Sequence, residues 1–583
     1  MPLFSSRGAI GLPTKPSDFS ATSCALDDRG SCIRRAGFLL LCCFLYWLCW
    51  ARPLAAEPWE WADDGLYLLQ GGRIARWLTT LNGSWLGAYE PRLLAKPPCF
   101  GFWLALVQLS GLPLRIAEFS SVLVLPFLLR RAVRPIVFLA GWRFAVVTFL
   151  LVVAPGPACQ FRLLRDTLQV TLAAGGLIAA VGLVLRAPGS VRTQARWAVL
   201  LGLLFAAAYL NREESVWLAP AAAVAITTAT AVGWRTGKRW LIVVPAVACI
   251  SAASLPVVAV CTLNARDYGI FVTSIRRGPG LTHLYHTLTR LEPDRHERFL
   301  PVAAETRAHA YRCSPEFARL QPYLEGPVGD GFARNAAHIA ISGRPPGTRE
   351  FFACNLEWSL LIAADAAGAS DAGQTDRLFG KAAVELDAAI RDGRLKAGTG
   401  SLGFMAAPMP GDARRLAEAA GRSMMLLLTV QGMNPDPAPH SSGIPAELER
   451  MSARTHAALA PSANIAAPEM ESPIAPVRRR AWTVSVDLLR VAYPAALQVT
   501  FLLVLLTVAR HRHSLEWWLV SGCGLILLAS QIGLCLLLGC VEVFAYPILN
   551  APQSYNSLGY APLAVLAAFA FIAADFAVSR RAI

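Results

Sequence analysis

The sequence predicts a mainly α, polytopic membrane bundle of about ten spans, with a mainly helical extracytoplasmic domain inserted before the last three. Three observations carry this prediction. Hydrophobic residues make up 55% of the 583-residue chain and charged residues only 16%, which overrules the several soluble domains that length alone would imply. Apolar runs repeatedly approach the length that crosses a hydrocarbon core. The basic excess, a net charge of +15, sits largely in short loops between those runs, as in cytoplasmic loops. Membrane orientation therefore accounts for the basicity, and no nucleic-acid partner is implied.

Residues 1–35 read as a loosely ordered cytoplasmic tail, polar and mixed in charge. Arg34 and Arg35 then abut the apolar run Ala36–Leu54. A signal peptide cleaved at Ala55-Ala56 is the competing reading. The length of the run, its Trp and Cys content and its lack of a clear small-x-small site favour an uncleaved span with the N-terminus inside. Basic clusters follow Leu114–Leu129 (Arg130, Arg131, Arg134), Leu168–Leu185 (Arg186, Arg192, Arg196), Val216–Val232 (Arg235, Lys238, Arg239) and Leu489–Val508 (Arg510, Arg512). The last run, Leu558–Val578, stops at Arg580-Arg581. Every cluster falls inside if Pro98–Leu112 is a membrane-surface helix, which its shortness and its two leading prolines favour. Both termini are then cytoplasmic. The chain divides into a tail (1–35), an N-terminal membrane module (36–263), an extracytoplasmic domain with a Pro/Ala-rich linker (264–485, the linker roughly Met433–Val477) and C-terminal membrane helices (486–583).

This topology puts four polar places on the outer face: the Glu57–Lys96 loop, the Pro155–Asp166 turn, the Asn211–Ser215 step and the long segment beginning at Asn264. In the first, Asp63-Asp64 can supply a general base, a ligand for a divalent cation, or both; a solvated acidic pair at the start of a helix is the blander alternative. Lys96 before Pro97-Pro98 can hold a phosphate as a point charge, or it can snorkel at the interface. Arg165-Asp166 opens a span on the same face, where an ordinary juxtamembrane ion pair is the alternative. Asn211-Arg212-Glu213-Glu214-Ser215 interrupts two apolar stretches with almost no loop, and such a cluster faces a cavity or pairs internally. Here function is favoured, with Arg212 for an anion and Glu213 or Glu214 for a cation or an acceptor hydroxyl.

Most of the fourteen cysteines lie in or beside apolar runs and read as small buried hydrophobes. Cys313 and Cys354 stand in the long polar segment, where a disulfide would be allowed outside the cytosol. Gly398–Gly403 spells GxGxxG but follows a helical pattern, not a strand, which argues against a dinucleotide site. His283, His286 and His296 read as surface histidines. Asn82-Gly83-Ser84 fits a glycosylation sequon, which matters only in a eukaryotic secretory route.

Taken together, these residues resemble the GT-C type of membrane glycosyltransferase, in particular the aminoarabinose-transferase and protein O-mannosyltransferase branch (glycosyltransferase family 39-like). The matching positions are the acidic pair and aromatic Asp63-Asp64-Gly65-Leu66-Tyr67, the Lys96-Pro97-Pro98 that opens a juxtamembrane helix, the Pro155–Asp166 turn and the polar step Asn211–Ser215. The resemblance covers residues 36–262 in detail and the remainder by topology. The loop Asn550–Tyr560 lacks the basic residue that some members place there. The resemblance implies transfer of a sugar, with inversion, from a polyprenyl-phosphate donor to a glycan, lipid or protein acceptor outside a bacterial inner membrane. It implies a catalytic role for Asp63, supported by Asp64 or Asp166 or a divalent cation. Lys96, Arg165 and Arg212 would bind the phosphate, with Tyr67, Glu213 and Glu214 also lining the substrate site. A transporter or cell-envelope assembly factor without such chemistry is the rival reading. It would place charges along a midplane pathway between repeated halves, whereas these charges cluster on one face and no internal repeat is visible.

Overall fold

The computed structural model describes residues 24–51, 53–57, 63–154, 165–235, 240–292, 297–335, 339, 345, 347–352, 354–398, 408–431, 441–460, 475–511, 513–545 and 552–581. The chain is a mainly α polytopic membrane protein. Among the described residues there is no strand, and only two isolated bridges, Leu54 with Leu459 and Leu291 with Ala397, occur. In chain order the principal helices are α1 (Cys24–Cys49), α2 (Asp63–Thr80), α3 (Cys99–Ser110), α4 (Leu114–Val133), α5 (Gly141–Val153), α6 (Asp166–Leu185), α7 (Val191–Asn211), α8 (Ala219–Arg235) and α9 (Trp240–Tyr268). They continue as α10 (Pro279–Arg290), α11 (Ala304–Cys313), α12 (Asn355–Ala366), α13 (Ala372–Arg391), α14 (Asp412–Leu428), α15 (Pro445–Thr455), α16 (Ala475–Arg510), α17 (Leu515–Cys540) and α18 (Pro552–Arg581). The chain forms two compact units, Met1–Phe44 and Leu45–Ile583. The side-chain cluster below, and the helices that hold it, belong to the second.

Seven helices among the described residues are long and apolar enough to cross a membrane, against the expected ten or so. The difference lies in three early helices. Leu114–Val133 meets the criterion only together with Cys99–Ser110, to which it is bent by 117°. Arg35–Cys49 and Gly141–Val153 are apolar but short; thirteen residues rise about 20 Å against a core of about 30 Å. The sharp bend after Ser110, with Gly111 in the left-handed region at φ 68°, agrees with reading Pro98–Leu112 as a helix separate from the next. Helix α1 starts at Cys24 rather than Ala36, and residues 1–23 lie outside the described residues.

Past its polar first turns helix α6 is apolar on every face, and it is buried along almost its whole length, as an all-round apolar stretch must be. It packs against α4, α7, α8 and α18, so Asp166 at its N-terminus is carried at the end of the most deeply buried of the seven candidate spans. Helices α7 and α9 pack closely because Gly202 has no side chain: a Cβ there would lie 2.2 Å from the Cys249 carbonyl oxygen.

The polar segment has a core of its own kind. Leu281, Leu284 and Leu288 of α10 meet Leu378, Phe379 and Leu386 of α13, and the same apolar cluster takes in Ile74, Trp85 and Leu94 from the first loop. The stretch expected to be a linker contains α15. There Leu448 and Met451, at helical spacing, are buried in one cluster with Tyr67 and Phe100. Backbone bonds from Leu54 N–H to the Ala458 carbonyl (3.0 Å) and from Ala460 N–H to the Leu54 carbonyl (2.8 Å) fasten it to the start of the first loop. The rest of that stretch, 432–440 and 461–474, lies outside the described residues, as do 155–164, most of the GxGxxG stretch, His296 and residues 550–551.

Candidate active site

Helix α2 begins at the acidic pair, so Asp63 and Asp64 lie where the helix dipole favours negative charge. The two then diverge. Asp63 keeps 43% of its side chain exposed and is ion-paired with the ammonium of Lys96. Asp64 is fully buried, and its Oδ2 accepts the Glu57 N–H at 3.1 Å. Lys96 is set in place by Gln70, also buried, whose amide donates to the carbonyls of Leu93 (3.1 Å) and Lys96 (3.2 Å). Gly101 makes room for Gln70: a Cβ at that position would lie 2.4 Å from Gln70 Oε1. Two aromatic faces flank the ammonium, Trp358 at 4.9 Å and Tyr67 at 5.6 Å from the ring centroids. Burial pushes the Lys96 pKa below the ordinary lysine value, and Asp63 opposes that shift. Burial likewise raises the Tyr67 phenol.

A second wall comes from the junction of α6 and α7. The Asn211 amide donates to the Arg165 carbonyl (3.1 Å) and to Gln169 Oε1 (2.9 Å), and Gln169 donates to the Ser215 hydroxyl (2.6 Å). These buried amides lock the two helix ends together. Arg212 then leaves the helix in an extended conformation, φ −147° and ψ 119°, and its guanidinium reaches Asp166 at 2.5 Å. Glu214 is 3.9 Å from the Arg212 Nε and is the more exposed of the two glutamates. Arg165 donates to the Asn211 carbonyl at 3.1 Å and lies over the Tyr67 ring at 5.9 Å.

The third wall comes from residues that the sequence reading did not single out. The turn Ile275–Arg277 is capped by Ser274, whose hydroxyl also donates to the Ala95 carbonyl (3.0 Å), so the turn is tied to the residue beside Lys96. Arg277 binds Glu213 at 2.9 Å. Arg276 makes a two-pronged pair with the fully buried Glu357 of α12, at 2.5 and 2.8 Å, and lies 5.9 Å from the Trp358 ring. One signal for Arg276-Arg277 existed: a double arginine just after a span on the expected outer face runs against the basic-inside bias. Glu357 and Trp358 sit in an apolar helical stretch and gave no such sign.

The structure thus brings residues from all four expected outer places into one connected cluster. Asp63, Lys96 and Tyr67 meet Arg165 through the Tyr67 ring, Arg165 meets the Asp166–Arg212 pair through Asn211, and Arg277 and Trp358 close the remaining sides. It also separates the candidates by reach. Asp63 and Glu214 are accessible, whereas Asp64 and Asp166 are buried against protein partners, Glu57 N–H and Arg212, and are placed to position neighbours rather than to meet an acceptor. Lys96, Arg212, Arg276 and Arg277 are each compensated by a carboxylate. Among the described residues, Arg165 has no carboxylate partner. Among the described residues, the hydroxyl of Tyr67 and Oε1 of Glu213 are buried without a hydrogen-bond partner, an arrangement that a polar ligand would relieve. No group of three His, Cys, Asp or Glu side chains able to hold a metal comes together among the described residues. Cys313 and Cys354 are both free thiols, and the exposed His283 pairs with Asp387 at 2.7 Å.

No protein-family model matches the chain, and no curated protein matches its sequence. Among solved structures, the crystal structure of ArnT from Cupriavidus metallidurans in the apo state aligns with 89% of this chain and 78% of that chain, at 13% sequence identity and a TM-score of 0.29. A likeness at that TM-score carries no argument, so the functional reading rests on the geometry of the cluster.

Proposed function

We propose that the protein is a GT-C-like membrane glycosyltransferase that moves a sugar from a polyprenyl-phosphate donor to an acceptor on the extracytoplasmic side. The observation that carries this reading is the accessible Asp63 carboxylate paired with the buried Lys96, next to Arg165, a cation with no ion-paired carboxylate among the described residues. A lipid donor leaves its tail in the bilayer and presents its phosphate where the helix ends meet, and that is where these cations lie. Arg165 and Lys96 take the phosphate oxygens. Fixed cations in a low-dielectric site stabilise the charge that grows on the leaving phosphate. Phosphate arriving at Lys96 competes with Asp63 for its protons and leaves Asp63 free to accept one. The acceptor oxygen then bonds to the anomeric carbon from the face opposite the phosphate, the sugar–phosphate C–O bond breaks, polyprenyl phosphate departs, and the hydroxyl proton passes to Asp63. Asp166 holds Arg212, and Glu213 holds Arg277, as the far wall of the site.

The test is turnover of a polyprenyl-phosphate-sugar donor by purified protein in lipid nanodiscs. Asp63→Asn is expected to lower turnover by about 10²–10⁴-fold while the yield of folded protein and the melting temperature hold. Undiminished turnover in the folded variant would overturn the assignment.

A further inference from the structure

Helix α11 turns two faces to its surroundings. One carries Arg307, fully buried and held by Glu325 at 2.9 Å, Glu350 at 3.1 Å and the Val302 carbonyl at 2.9 Å. The other carries Thr306, His309 and Arg312 at three-residue spacing, which keeps them on one side of a helix, and it lines a cavity of about 540 Å³. The facing wall is the segment Arg394–Lys396. It is held against residues 290–292 by bonds from Glu292 N–H to the Lys396 carbonyl (2.9 Å) and from Gly398 N–H to the Arg290 carbonyl (2.6 Å). The segment turns out of the end of α13, with the Arg394 and Leu395 N–H groups both donating to the Ala389 carbonyl. All three line the cavity, Leu395 buried in its wall and Arg394 and Lys396 exposed.

The lining therefore sets three cations and a histidine against one carboxylate, Glu292. Arg394 shares its charge with Asp392 at 3.3 Å, but among the described residues neither Arg312 nor Lys396 has an ion-pair partner. A second observation points the same way. Thr306 is buried and its hydroxyl has no hydrogen-bond partner among the described residues, although buried hydroxyls in folded proteins are nearly always paired. A ligand oxygen would supply the partner. The volume lies within the range of small-molecule sites, about 300–1,000 Å³, and exceeds what a bare anion needs.

We propose that this cavity binds an anionic saccharide, a sugar bearing a phosphate or carboxylate, with Arg312 and Lys396 on the charge and Thr306 on an oxygen. It is distinct from the cluster around Lys96. Arg276 and Arg277 precede the first residue of α10 and the cavity lies past its last, and twelve residues of helix rise about 18 Å. The proposal stands apart from the transferase reading.

Full-length protein in phosphatidylcholine nanodiscs, which carry no anionic headgroup, would be titrated calorimetrically with glucose 6-phosphate and with glucuronate. Glucose and inorganic phosphate are the controls. Both anionic sugars are expected to bind, more weakly as salt rises, and glucose not at all. The double variant Arg312→Gln/Lys396→Gln, altered at two exposed positions, is expected to lose at least tenfold in affinity. Thr306→Val, close in shape, is expected to lose affinity without losing melting temperature. Arg165→Gln, in the other cluster, should leave this binding unchanged. Affinity unaltered in the double variant, or lost only with Arg165→Gln, would overturn the site; inorganic phosphate binding as tightly as glucose 6-phosphate would overturn the saccharide.

Discussion

Lys96 is the residue whose charge the proposed chemistry most depends on, and its burial makes that charge titratable. Its pKa is pushed below the ordinary 10.5 by burial, against the pull of Asp63. Between the folded and unfolded pKa values the unfolded chain binds more protons, so this group makes the folded state relatively more stable as pH rises. Activity, by contrast, should fall over the same window, because the neutral amine no longer attracts phosphate. The expected pH–rate profile has an alkaline limb below 10.5 that moves upward in Lys96→Arg, with no matching drop in melting temperature; a limb that tracks unfolding would count against the assignment. Arg165 makes a second prediction. With no carboxylate in ion-pair contact among the described residues, Arg165→Gln should raise the donor KM at least tenfold, whereas Arg277→Gln, which only releases Glu213, should change it less. At this scale the sequence exposed Asp63, Lys96 and Arg212 because each is a charge set against apolar neighbours. It did not divide Asp63 from Asp64, since adjacent residues on a helix point about 100° apart and only the packing shows which one is covered.

Elements hold these charges through small residues and buried amides. Helices α2 and α3 meet where Gly101 faces Gln70, and Gln70 holds the carbonyls of Leu93 and Lys96. Gly101→Ala should therefore displace Gln70 and cost about 1–3 kcal/mol, the usual range for overpacking. In a Gln70→Ala background the same substitution should cost much less, because the obstructing side chain is gone. A double-mutant cycle by thermal unfolding measures the difference, and additivity within about 0.5 kcal/mol would refute the contact. The helices were readable as elements: two prolines before α3 and the apolar uniformity of α6 are local signals. Helix α15 was not, because a Pro- and Ala-rich stretch becomes helical there only by burying Leu448 and Met451 against the first loop.

For the whole molecule, the basic loops predict an orientation that can be tested without any substrate. With the termini cytoplasmic and 264–485 outside, Asp392→Cys, in a side chain 61% exposed, should add labelling by a membrane-impermeant maleimide applied to intact cells. A fluorescent protein that folds only in the cytoplasm should fluoresce at the C-terminus. Labelling that needs permeabilised cells would invert the topology and detach the cluster from an outer-face donor.

Hydropathy and the placement of arginines are properties of composition along the chain. They determine an α-helical membrane protein, and they single out most charges that stand where a bilayer would reject them, because the cost of an unneeded charge at a membrane is local. Partnership is not local. Gln169 with Ser215, Glu213 with Arg277, Lys96 with Trp358 and Arg276 with Glu357 join residues 46, 64, 262 and 81 positions apart, a separation that no helical period encodes. Which carboxylate stays accessible, which cation keeps its charge uncompensated and which arginines complete the cluster were settled by how α2, α6, α7 and α12 pack, since burial and pairing exist only once those surfaces meet.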